Sequence, residues 1–183
     1  MTSSLLRIAA LGLTLLALSA CASSRSLDQS FADISGNAEL KGVLFTDREH
    51  DYGDIDITLY EGRLLLTGTM RSEVGRKKLI ENAWKADSVD EVIDEIFVGD
   101  KTPFTQGFED TRIDQVLRTK LIADRDVTSG DYKIAVSNAV VYLIGSAQNE
   151  AELEEATRLA ANISGVEKVV SYVTLRNKLI PQL

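Results

Sequence analysis

One cysteine and one histidine occur in 183 residues. Neither a disulfide framework nor a four-ligand Cys/His zinc site can be built from them. Two prolines and twelve glycines are too few for a collagen-like or linker-rich chain. Positive charge is also short: 20 Lys and Arg stand against 28 Asp and Glu, a formal net charge of −8. Such a chain gains little from counterion release, which argues against general DNA or RNA binding. There is no nucleophile elbow, Walker loop, dinucleotide fingerprint or two-histidine metal motif. The many carboxylates read as solvated surface, so neither an enzyme nor a cofactor is expected. What remains is a globular balance, 44% hydrophobic and 26% charged, with room for one medium domain or two small ones.

Residues 1–20 carry a single charge, Arg7, followed by the apolar run Ile8–Leu18. That run is shorter than the roughly 20 residues of a membrane span and fits the core of a secretory signal. It ends Leu18-Ser19-Ala20-Cys21, which resembles the lipobox of bacterial lipoproteins. The resemblance implies cleavage before Cys21 and acylation of that residue, palmitate included. Each buried methylene contributes about 0.8 kcal/mol, so several acyl chains anchor stably without a span. Ala22 stands where an Asp would favour inner-membrane retention. By the same resemblance, the expected location is the periplasmic face of the outer membrane. Residues 21–32 read as a tether.

An internal repeat follows. Residues 33–97 align without a gap on residues 110–174 at an offset of 77, with fourteen identities. They include Asp33 with Asp110, Gly53-Asp54 with Gly130-Asp131, Leu66 with Leu143 and Gly68 with Gly145. Chance would supply about four. Each copy opens on an amphipathic helix, Ile34–Thr46 and Thr111–Ala123. Period-2 strands follow at Asp54–Tyr60 and Asp131–Ser137, then two-residue connections, Glu61-Gly62 and Asn138-Ala139. Partner strands run Arg63–Thr69 and Val140–Ser146. Second helices start at the N-caps Ser72 and Asn149, the latter in a capping box with Glu152 and with Gly165 as a C-cap. Final strands are Val89–Phe97 and Val166–Leu175. The fold class is α+β: two tandem α-β-β-α-β units, each with two helices on a three-stranded sheet. The domains are 33–98 and 110–176, with a linker at 99–109 and a tail at 177–183.

The segments Gly62-Arg63-Leu64-Leu65-Leu66-Thr67-Gly68 and Ser88-Val89-Asp90-Glu91-Val92 carry the first copy's resemblance to a known family. In the second copy, Ala139-Val140-Val141-Tyr142-Leu143-Ile144-Gly145 and Gly165-Val166-Glu167-Lys168-Val169 carry it. These strings resemble the BON-domain family, and each copy departs from the family pattern at one glycine. With the lipobox, the whole resembles a dual-BON outer-membrane lipoprotein. The resemblance implies a non-enzymatic periplasmic module that binds phospholipid and supports envelope integrity. The alternative is a protein-interaction adaptor for an envelope assembly machine.

Candidate sites are few. His50 lies in an acidic segment that fails as a calcium loop, because Tyr52 and Thr58 stand where Gly and Glu are required. It reads as a solvated loop, and no metal is expected. Trp84 reads as core packing rather than a membrane anchor. Phe104 and Phe108 read as linker aromatics covering a contact between the copies. Residues 33–97 net −7 and residues 110–174 net −3. The opening helix of the second copy gathers Arg112, Arg118 and Lys120, the expected contacts for anionic phospholipid. A rival patch is Arg71, Arg76, Lys77 and Lys78.

Overall fold

The computed structural model describes residues 42, 49–100 and 102–176. Two antiparallel hairpins anchor the two units. In the first, β1 (Ile55–Tyr60) pairs with β2 (Arg63–Met70), and β2 pairs in parallel with β3 (Glu91–Val98). In the second, β4 (Tyr132–Ser137), β5 (Val140–Ala147) and β6 (Lys168–Leu175) repeat the arrangement. The parallel pairing needs a crossover, supplied by α1 (Glu73–Ala83) and α3 (Glu150–Ala161). A long helix, α2 (Phe104–Ala123), precedes the second sheet. The first helix of the first copy lies outside the described residues, except Gly42, which is helical. The signal, Cys21, the tether and the tail from residue 177 also lie outside them.

Alternation along the central strands explains why both are buried on both faces. Leu64 and Leu66 point into one core with Leu79 and Ala83 of α1. Val141 and Leu143 do the same with Ile113, Leu117, Ala156 and Ala160 of α2 and α3. The intervening Leu65, Tyr142 and Ile144 meet in a third cluster, together with Tyr60, Ile93 and Ala135. The units therefore pack sheet against sheet, with helices on the two outer layers.

Polar contacts tie the layers. Tyr60 and Ser146 share a hydroxyl hydrogen bond at 2.9 Å. Arg63 donates to the Tyr172 carbonyl at 2.7 Å, and Lys133 Nζ to the Leu59 carbonyl at 2.7 Å. The Tyr172 hydroxyl donates to Glu95, its counterpart at the offset of 77. Glu95 and Tyr172 thus face each other across the interface as equivalent positions do at the axis of an isologous dimer.

Local signals behave as their chemistry requires. Ser72 and Asn149 cap α1 and α3, accepting from Gly75 N at 3.2 Å and Glu152 N at 3.0 Å. Glu152 does not close a capping box. Its buried carboxylate instead accepts from Thr128 N and Gln148 N, which fixes the loop before β4. Gly165 is not the C-cap of α3. Asn162 holds that place, and Gly165, at φ +91°, turns the chain toward β6. The expected linker 99–109 is shorter than the sequence suggests, because residues from Phe104 onward are already helical.

Candidate functional site

The second copy's first helix starts seven residues earlier than its apolar stripe indicates. Pro103, at φ −57°, precedes the first helical residue, where a missing N–H costs nothing. Ile113, Leu117 and Leu121 then recur every four residues and are buried. Gly107 and the polar pair Thr105-Gln106 hide the first turn from a reading based on apolar periodicity. The signal that marks it is Pro103 followed by Phe104 and Phe108 at helical spacing.

Asp110 belongs to the fold rather than to the surface. It is 8% exposed, and its carboxylate accepts from Asn138 N at 2.8 Å, Ala139 N at 2.9 Å and Gln106 Nε2 at 2.9 Å. Asn138 and Ala139 both have positive φ, as a type I′ hairpin demands. The turn's amides and the helix carboxylate therefore hold α2 against the β4–β5 hairpin.

The opposite face of α2 is open. Phe104, Phe108 and Ile122 are 89%, 66% and 73% exposed. At 100° per residue they fall on one line, with Thr111 and Gln115 between them. Phe104 and Phe108 lie at the junction of the copies but are not buried by it. From the first turns of α2 they line, without filling, a groove of about 760 Å³. That groove runs between β1 and β4 and is also lined by Ile57, Ala135, Asp114 and Arg118.

The three cations do not converge. Arg112 donates to Glu109 at 2.8 Å and to the Ser164 carbonyl at 2.6 Å, leaning toward the loop after α3. Arg118 is bidentate on Asp114, at 2.7 and 2.9 Å, and leans toward the Ile134 carbonyl of β4. Lys120 is half-buried near the C-terminal end, where its charge complements the helix dipole. The arrangement is an exposed apolar line flanked by Arg112 and Arg118, both already paired, with Lys120 on the far side of the helix.

Elsewhere, the core reading of Trp84 is overturned. It is the C-cap residue of α1, one position past the buried Ala83, and is 54% exposed. His50 packs edge-on against Tyr52 with ring centroids 6.2 Å apart. In the rival patch, Arg76 pairs with Asp94 at 2.7 Å, and that carboxylate raises its pKa. Among the described residues no group of three His, Cys, Asp or Glu could hold a metal, and no helix is long and apolar enough to cross a membrane.

The BON domain pattern matches residues 37–100 and again residues 109–177. A protein of Anaplasma centrale named "Uncharacterized protein in gshII 5'region" is 34% identical over 127 residues, covering 69% of this chain and 84% of its own. The 21 kDa hemolysin of Actinobacillus pleuropneumoniae is 32% identical over 122 residues, 65% of this chain and 61% of its own. Outer membrane lipoprotein DolP of Haemophilus influenzae is 29% identical over 118 residues, 64% of this chain and 61% of its own. The chain thus spans about three-fifths of the length of the last two.

Proposed function

Since the chain belongs to the BON-domain family and carries two copies of the domain, we propose that it is a non-enzymatic lipoprotein of the outer membrane. Its anchor is acylated Cys21, it faces the periplasm, and it supports envelope integrity by binding phospholipid. The similarity to a protein named an outer membrane lipoprotein supports the location. The observation that carries the lipid reading is the outer face of α2. Phe104, Phe108 and Ile122 stand in solvent there, and a folded protein gains nothing from exposing them in a row. Inserted at headgroup depth, they bury apolar area while Arg112 and Arg118 meet phosphates on either side. Arg112 and Arg118 exchange Glu109 and Asp114 for lipid phosphate, so binding is weaker than two unpaired cations would give.

Flotation of residues 21–183 carrying Cys21→Ser with phosphatidylglycerol-containing vesicles tests the reading. The chain floats at low salt, and Arg112→Glu with Arg118→Glu reduces the floated fraction severalfold. Equal flotation of the two forms would refute the assignment of the site. The acidic net charge favours the adaptor reading. A chain that never floats but captures a stable envelope protein partner would establish that reading instead.

A further inference from the structure

Residues 71–85 hold five Lys and Arg against two Asp and Glu, while the matching residues 148–162 hold one against four. The reversal is sharpest where Lys77-Lys78 stands in place of Glu154-Glu155. Trp84 likewise stands where the second copy has Ala161. The two crossover helices share a fold and a buried face but carry opposite outer charge.

On α1, Val74, Lys77, Lys78 and Glu81 recur at spacings of three and four, opposite the buried Gly75, Leu79, Asn82 and Ala83, and Lys85 follows in the turn just beyond the helix. These four and Lys85 are exposed, Val74 at 69%. The indole of Trp84 closes the helix beside Lys85. Arg76 is taken up by Asp94 and Glu73 and contributes little outward charge. Lys78 reaches Glu81 only at 3.8 Å. Lys85 Nζ donates to the neutral amide oxygen of Asn82 at 2.8 Å, which leaves its charge uncompensated there. Arg71 and Lys77 extend the cationic face.

Cations along a helix, with an indole at its end, match the chemistry of an anionic bilayer surface. The ammonium groups meet phosphates, and the indole lies at headgroup depth. The unit that carries α1 is also the one nearest in sequence to the proposed anchor. The twelve residues 21–32, fully extended, reach at most about 40 Å.

We infer that the outward face of α1 is a second docking surface for an anionic phospholipid bilayer, separate from α2. Because α1 and α2 occupy opposite outer layers, with two sheets between them, a chain using both faces holds two bilayers. That two-sided attachment rests on the reading of α2 above; the α1 surface does not.

Trp84 is the sole tryptophan, so its emission reports on this surface alone. Residues 21–183 carrying Cys21→Ser are mixed at low salt with vesicles of phosphatidylglycerol and phosphatidylethanolamine. Trp84 emission shifts to the blue and the vesicles cluster. Lys77→Glu with Lys78→Glu, both exposed and so harmless to the fold, weakens the emission response at least tenfold and abolishes clustering. An unmoved emission maximum in the parent chain, or a response preserved in that variant, overturns the inference. Arg112→Glu with Arg118→Glu separates the two surfaces. Loss of clustering with the Trp84 shift retained supports both, whereas a variant without any effect refutes the α2 site and leaves α1 standing. Flotation of the parent chain without a Trp84 shift refutes α1 alone, and no vesicle binding by any form refutes both.

Discussion

A Cβ placed on Gly145 would stand 2.1 Å from the Asp131 carbonyl oxygen, and one on Gly68 would stand 2.0 Å from that of Asp54. Both contacts are backbone, at the same repeat position, and Gly68 also sits at φ +114°. Neither strand can move away without breaking its hairpin. Gly145→Ala therefore costs about 3 kcal/mol, read as a lowered urea midpoint; an unchanged midpoint would mean that the strands separate freely. Ala139 presents the converse case. It occupies φ +63° in a two-residue turn whose partner copy has Gly62 there. Ala139→Gly keeps the N–H bond to Asp110 and removes the Cβ penalty, so the midpoint rises by the equivalent of about 1 kcal/mol. A fall would show that the buried methyl contributes more than the strain costs.

At the scale of elements, the strands and crossover helices are legible in the sequence to within two residues at most ends, because period 2, the caps Ser72 and Asn149 and the paired glycines all point the same way. The start of α2 is not legible, because Gly107 and Thr105-Gln106 imitate a linker and the inward residue there is Asp110 rather than an apolar one. That carboxylate caps the backbone of a turn 28 residues away, a contact no local pattern contains. The exposure of Phe104, Phe108 and Trp84 escapes the sequence for a related reason. An aromatic side chain is assigned to a core by default, and only the packed neighbours reveal that the core is already full. Charge alone singles out Arg112 and Arg118, whereas their carboxylate partners depend on the helix face each occupies.

At the scale of the whole molecule, the described residues form a four-layer body in which one sheet covers the other, and its interface is lined with phenols. Burial, then Glu95, raises the Tyr142 pKa to about 12. Burial and the hydrogen bond to Glu95 do the same for Tyr172, also to about 12. Burial also raises Tyr132, in the core beneath α2. An unfolded tyrosine ionises near about 10, so above that value the unfolded chain loses protons that the folded chain retains. The stabilisation from these groups is complete below about pH 10 and declines as pH rises toward about 12. Thermal unfolding should hold its midpoint from about pH 7 to 9 and fall steeply between about 10 and 12. Tyr142→Phe with Tyr172→Phe should flatten that fall, and an equal fall in the variant would place the alkaline sensitivity elsewhere. The same layering leaves α2 as an outer surface, free to meet lipid. Whether it does so is read most directly from tryptophan emission in residues 21–183 carrying Cys21→Ser, Trp84→Phe and Phe108→Trp, titrated with phosphatidylglycerol-containing vesicles. The indole introduced at position 108 is then the only one in the chain. Its emission should shift to the blue, by an amount that grows with the anionic lipid fraction and is reversed by salt. An emission maximum that stays at its aqueous value while the vesicles are saturated with protein would contradict lipid binding by α2.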